Sequence, residues 1–449
     1  MILLNTKNYI FIGHSIQTKI QQNKLHLMNL LLKYNATQIA QHKFLKITGS
    51  KSETNRLLLL QALYPHISIE NSSNSDDSEV MIKALQSKFN KDTPTLIDIH
   101  HAGTAMRFLT AYFAIQESKD PHQNSDVIIT GSSRMKERPI KILVEALVQL
   151  GASITYLEKE GFPPISIKGK KLTKNKVSLP ANVSSQYISA LLLIAPKLEN
   201  GLELTLEGKI TSMPYIKMTL ALLNEIGITT SFENNKIKVP HAQEVEASRL
   251  IIESDWSSAS YWYSIIALSK TGTQISISSY KKNSLQGDSA LATIYSNFGV
   301  QTIFNSDYSI TISKISESKP KSLNFELNNC PDIAQTVAVT CFGLGLECHL
   351  TGLHTLKIKE TDRLEALKIE LTKLGATISV TNDSLHLKPS NQINSNITIN
   401  TYQDHRMAMA FAPLALHVPI KINEATVVSK SYPSFWEDLK SIGIEIEEI

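Results

Sequence analysis

The chain has 449 residues, 42% of them hydrophobic and 19% charged, which is enough apolar material for two or three cores and too much for a disordered protein. A net charge of +4, with basic residues scattered along the chain, excludes a dedicated nucleic-acid binder. Cys330, Cys341 and Cys348 lack metal-ligand spacing and no apolar run reaches the ~18 residues of a membrane helix, so a reduced, cytoplasmic setting with no structural metal and no membrane is expected.

In chain order, the first informative stretch is Gly49-Ser50-Lys51-Ser52-Glu53-Thr54-Asn55-Arg56, ahead of the apolar run Leu57 to Leu60. It predicts a loop opening a helix. The first amides of a helix have no internal partner, so with Lys51, Arg56 and the serines they suit a phosphate or carboxylate. An N-capped surface helix with solvated cations remains the alternative reading of this stretch alone. A P-loop is excluded, because Leu45 and Ser50 stand where it needs glycines.

His101 to Arg107 places small residues, including Gly103, ahead of a helix through Phe113, which suits close backbone approach to a ligand. Arg134 to Pro139 follows a strand at Val127 to Thr130 and precedes a helix expected to start at Pro139. Its three cations offer paired hydrogen bonds to anion oxygens. Ser184, Ser185 and Gln186 open an apolar helix, Tyr187 to Ile194, and Ser212 with Tyr215 adds a polar patch of low specificity. The turn-rich segment Pro240 to Asp255 marks a boundary, and Asp255 with Ser257 and Ser258 caps a helix running to Leu268.

In the second half, Asp332 follows Cys330-Pro331, and Lys359-Glu360-Thr361-Asp362-Arg363 sets two cations around two acids at a helix start. Bound anions beside such an acid raise its pKa, as a general acid requires; alone, the pentad also fits an ion-paired helix surface. Asp404-His405-Arg406 and Ser429-Lys430-Ser431 add further cations in loops. Gly343-Leu344-Gly345 lacks the third glycine of a dinucleotide loop and reads as packing.

A repeat underlies these motifs. The pattern Leu-x-x-apolar-Gly-apolar, with some variation at the first position, recurs at Gly151, Gly227, Gly299, Gly375 and Gly443, spaced 76, 72, 76 and 68 residues apart. Each copy predicts a helix that ends on its glycine and re-enters as a strand. A degenerate sixth copy, without glycine, fits Met81 to Phe89. Six units of ~70 residues predict an α/β protein of two similar domains with three units each. The domains expected are 49–254, and 1–48 with 255–449, the site lying in the cleft between them.

Together these motifs resemble those of the 5-enolpyruvylshikimate-3-phosphate synthase family of enolpyruvyl transferases, over nearly the whole chain from about Thr48 to Pro433. The most specific are Gly49 to Ser52 with Asn55-Arg56, Ala102 to Arg107, Arg134 to Pro139, Ser184 to Gln186, Lys359 to Arg363, and Asp404 to Arg406. The resemblance implies an inverse α/β barrel-like fold of two domains that closes on shikimate 3-phosphate and phosphoenolpyruvate. It implies a monomer with no metal or organic cofactor. Ser52, Arg56, Ser184, Ser185, Gln186, Ser212, Asp332 and Lys359 match the family's shikimate-phosphate contacts. Lys51, Gly103, Arg134, Arg363, Arg406 and Lys430 match its phosphoenolpyruvate contacts. Asp332 then takes the hydroxyl proton, Glu360 moves the proton at the methylene carbon, and Lys51 neutralises the departing phosphate.

His101, Phe108 and Thr355 depart from the family's usual asparagine, proline and asparagine. Met28 lies 23 residues before Lys51, near the family's usual distance from its start, so residues 1–27 are expected to be dispensable. The resemblance also implies sensitivity to glyphosate, which in the family competes with phosphoenolpyruvate beside the counterpart of Gly103. The rival readings are a UDP-N-acetylglucosamine enolpyruvyl transferase, whose cysteine loop has no counterpart here, and a non-catalytic anion-binding repeat protein.

Overall fold

The computed structural model describes residues 28–449 apart from 36–38, 40–42, 91, 118–125, 183, 209, 318–319 and 321. The expectation about residues 1–27 lies outside the described residues.

All five repeat glycines have positive φ, between 71° and 108°. In four of them the amide after the glycine returns to the carbonyl of the leucine that opens the pattern: Ala152 to Leu147, Ile228 to Leu223, Ala376 to Leu371 and Ile444 to Leu439, at 2.9–3.3 Å. The spacing in the sequence is therefore the spacing of a left-handed helix stop that re-bonds orphan carbonyls. The degenerate copy behaves differently. Its helix, Asp76–Leu85, ends in Gln86 with right-handed φ, and the next strand begins only at Thr95.

Four sheets share one strand order, with two parallel strands followed by two antiparallel ones. One runs Thr95–Asp98, Asp126–Thr130, Ile165–Lys168, Ser153–Tyr156, and another Ser322–Glu326, Glu347–Thr351, Leu385–Leu387, Ile378–Val380. A fifth keeps this geometry but takes its third strand, Leu30–Lys33, from the start of the chain, between Ile420–Ile422 and Glu445–Glu448. The sixth has two strands, Ile67–Glu70 beside Ser248–Ile251.

Two apolar cores result. One gathers residues from Leu57 to Ile252, the other residues from Leu30 to Ile47 and from Trp256 to Ile444. The chain crosses between them at two adjacent points, where Ser50 N–H donates to the Glu253 carbonyl (2.8 Å) and Asp255 N–H to that of Thr48 (3.2 Å). Gly49 permits this approach, since a Cβ there would lie 1.8 Å from the Asn71 carbonyl oxygen.

Candidate active site

Among the described residues, seven helices begin at the cleft between the cores. Lys51–Leu63, Gly103–Ala114, Ser185–Ile194 and Met213–Glu225 enter from one side, and Trp256–Leu268, Arg363–Lys373 and His405–Phe411 from the other. Ser50, Ser184, Asp255, Asp362 and Asp404 cap their helices through side-chain oxygens. Ala102 offers no side-chain cap, so the helix at Gly103 presents uncapped amides. Converging positive helix ends suit anions.

Lys51, Ser52, Arg56, Gly103, Ser184, Ser185, Gln186, Ser212, Asp332, Lys359, Glu360, Arg363 and Arg406 all line this cleft. Arg134 and Lys430 line an adjoining recess that shares Arg138 and Glu360 with it. The cleft thus gathers groups from both cores.

Arg363 is the hub. Only 2% exposed, it donates from Nε to Asp404 (2.7 Å), from one terminal nitrogen to Asp332 (2.9 Å) and from the other to Glu360 (2.8 Å). Asp332 also meets Arg406 (3.2 Å), Lys359 (3.4 Å) and the Tyr215 hydroxyl (3.3 Å). Burial pushes the Asp332 carboxyl up, but Arg406, Lys359 and Arg363 outweigh it and hold the group well below the usual range. Burial likewise raises Glu360, and Arg363 and Arg138 hold it well below. The sequence points to raised carboxyl pKa values beside bound anions; the protein's own charges act in the opposite direction.

Lys51 Nζ sits 3.4 Å from Asp77 and 3.5 Å from the Lys430 carbonyl. Lys430 Nζ donates to the Gln403 carbonyl (2.7 Å), which Tyr402 and Gln403 present from left-handed φ of 53° and 54°. Burial lowers the Lys430 pKa, against the carboxylates of Glu360, Asp404 and Asp77.

Arg56 differs from the sequence expectation in emphasis. It is 2% exposed and directs N–H donors to Thr219, Ser189 and the carbonyls of Ser52 and Tyr215, with Phe108 packed under the guanidinium at 5.4 Å. Phe108 is therefore a packing partner of Arg56. The helix expected at Pro139 begins instead at Lys141, because the Pro139 carbonyl accepts from Arg107 (2.7 Å) and Tyr187 (2.6 Å) and Ile140 N–H bonds to Gly161. Arg134 belongs to a separate short helix, Ser133–Lys136.

Several cleft residues escape the sequence-based site list: Thr104, Arg107, Arg138, Asp255, Ser257 and His405. Arg138 lies in the basic run, but only the fold shows that it turns inward, with its guanidinium where a Cβ at Gly103 would come within 2.5–2.9 Å. Thr355 lines the cleft with a buried hydroxyl that has no hydrogen-bond partner among the described residues, and His101 lines the recess.

Fold and site define a two-lobed α/β enzyme whose cleft sets helix starts and cations from both cores beside two half-buried carboxylates. The EPSP synthase (3-phosphoshikimate 1-carboxyvinyltransferase) family model matches residues 37–439. A Bacteroides fragilis (strain YCH46) protein named 3-phosphoshikimate 1-carboxyvinyltransferase is 45% identical over 409 residues, covering 90% of this chain and 96% of the relative. A Haemophilus influenzae (strain PittEE) protein of the same name is 33% identical over 425 residues, covering 89% and 96%. The solved EPSP synthase from Acinetobacter baumannii has the same fold, with a TM-score of 0.73 at 20% identity, over 94% of this chain and 100% of that one. The chain belongs to the EPSP synthase family. It is a transferase of the shikimate pathway, in aromatic amino acid biosynthesis, and its α/β fold is the one expected from the repeats.

Proposed function

We propose that the cleft joins the 5-hydroxyl of shikimate 3-phosphate to C2 of phosphoenolpyruvate and then expels phosphate, with domain 49–254 and the domain formed by 1–48 with 255–449 closing around the two substrates. The observation that carries this reading is the single guanidinium of Arg363 holding both Asp332 and Glu360, at 2.9 and 2.8 Å. Addition and elimination each need one proton moved at oxygen and one at carbon.

In the addition step, Asp332 accepts the hydroxyl proton while Glu360, protonated, donates to the methylene carbon, giving a tetrahedral intermediate. In the elimination, Glu360 removes a proton from the new methyl group, the C–O bond to phosphate breaks, and the leaving phosphate takes up the proton lodged on Asp332, which restores both carboxyl groups. The leaving phosphate takes its charge towards Lys51. The low pKa values, set on Asp332 by Arg406, Lys359 and Arg363 and on Glu360 by Arg363 and Arg138, are compatible with this, because substrate phosphates and carboxylate share those cations and raise both acids.

Ser52, Ser184, Ser185, Gln186, Ser212 and Lys359 are assigned to shikimate 3-phosphate, with Arg56 ordering Ser52 through the hydrogen bond to its carbonyl. Gly103, Arg134, Arg363, Arg406 and Lys430 are assigned to phosphoenolpyruvate. Among the described residues no helix is long and apolar enough to cross a membrane, and we assign the enzyme to the cytoplasm. Phosphate release measured with each substrate alone and with both tests the reading. Release only with both is expected; release from phosphoenolpyruvate alone, or none with both, would contradict it.

A further inference from the structure

We propose that Asp288 is a positioning residue of this reaction, fixing Arg406 against Asp332 through the hydroxyl of Ser257. The inference rests on Asp332 being the proton acceptor. Asp288 lies in the short turn Gly287–Ala290 and is 4% exposed. That turn is wedged beside the segment leading to Asp332: a Cβ on Gly287 would sit 2.2 Å from the Asn329 carbonyl oxygen.

The hydroxyl chemistry gives the link a direction. Ser257 donates its one proton to Asp288 Oδ2. Its lone pairs are then left for Arg406, whose terminal nitrogen donates to Ser257 Oγ at 3.1 Å. The same nitrogen lies 3.2 Å from Asp332 Oδ2. A guanidinium held by a serine on one side and the reacting carboxylate on the other cannot rotate without losing one of them. The other carboxyl oxygen of Asp288 is buried and has no hydrogen-bond partner among the described residues, so Ser257 is the hydrogen-bond contact of this carboxyl there.

The charges facing Asp288 come from every neighbouring element: Asp332 and the Cys330 thiol, Arg406, Asp255 at the start of helix Trp256–Leu268, and the Tyr215 hydroxyl. Burial, then Asp332, pushes the Asp288 carboxyl up to about 7, while Arg406 and the Ser257 hydrogen bond pull it down. Above that pH, ionised Asp288 still holds the direction of Arg406 through Ser257 but shares its charge, which leaves less of that charge on Asp332 and makes Asp332 the better proton acceptor. Below it, the whole charge of Arg406 acts on Asp332.

The test is the pH profile of kcat in Asp288→Asn, which keeps the shape of the side chain and removes the ionisation. Wild-type kcat should fall on an acid limb near pH 7. The variant should match wild type at pH 6 and fall about tenfold below it at pH 8.5, the effect of roughly one pKa unit at the acceptor. Ser257→Ala, read separately, removes the hydrogen bond that favours ionised Asp288, so the limb should move to higher pH and the KM for phosphoenolpyruvate should rise. A loss by the same factor at all pH values in Asp288→Asn, or an unmoved limb in Ser257→Ala, overturns the proposal. Intact turnover in Asp332→Ala would instead defeat the assignment on which it rests.

Discussion

Arg134 crosses the cleft to donate from Nε to the carbonyl oxygen of Glu360 at 3.2 Å. A second donor of the same side chain reaches the Lys359 carbonyl at 3.3 Å, and a third is anchored by Glu137 at 2.8 Å. One core therefore holds, through a single guanidinium, the backbone that carries the proposed proton donor of the other. This makes Arg134 a clamp on the catalytic segment as well as a ligand group.

Arg134→Lys is expected to lower kcat/KM by about ten- to a hundredfold, the scale of one or two charge-assisted hydrogen bonds. A lysine keeps the charge but cannot bridge two carbonyls in fixed directions. Steady-state kinetics with both substrates check it. An unchanged kcat/KM would show that the clamp is not needed for turnover.

Gly103→Ala is expected to raise the KM for phosphoenolpyruvate and to weaken inhibition by glyphosate together. The added methyl meets the end of the Arg138 guanidinium at 2.5–2.9 Å, so Arg138 must shift. Arg138 is one of the cations that act on Glu360, which makes the shift an electrostatic change as well as a steric one. Inhibition titrations of both proteins decide it, and identical curves would place Gly103 outside the pocket.

Much of the fold was legible because the repeat is local chemistry. A leucine, an apolar residue and a glycine at fixed spacing determine where each helix stops, and Gly151 or Gly375 can be read without knowing any distant contact. The pairing of Leu30–Lys33 with Glu445–Glu448 was not legible, since it joins opposite ends of the chain and leaves no local trace. The site divides in the same way. Lys51, Gly103 and Ser184 announce themselves by standing at helix starts. Asp288, Ser257 and Arg138 acquire meaning only when the fold brings their side chains to Arg406 and Gly103.

Glu53 gives a stability test at the crossing point. It is 4% exposed, and burial is the main cause that pushes its carboxyl up to about 7, with Lys281 opposing and Glu253 adding to the rise. A carboxyl with a raised folded-state pKa binds its proton more tightly in the folded protein. Its contribution is therefore full below the unfolded value of about 4.5 and is lost as pH rises to about 7. Between pH 5 and pH 8 the wild type should lose on the order of 1–3 kcal/mol from this group, and Glu53→Gln should lose less. Urea unfolding at the two pH values measures the difference. Parallel losses in both proteins would contradict it.

The central claim is that Glu360 moves the proton at carbon, held for that purpose by Arg363 at 2.8 Å. The most direct measurement is phosphate release by Glu360→Gln with shikimate 3-phosphate and phosphoenolpyruvate both saturating, alongside a circular dichroism check of folding. Turnover is expected to fall by about a hundredfold or more, the usual scale for a lost general acid and base, with the protein still folded. Near wild-type turnover in folded Glu360→Gln would contradict it.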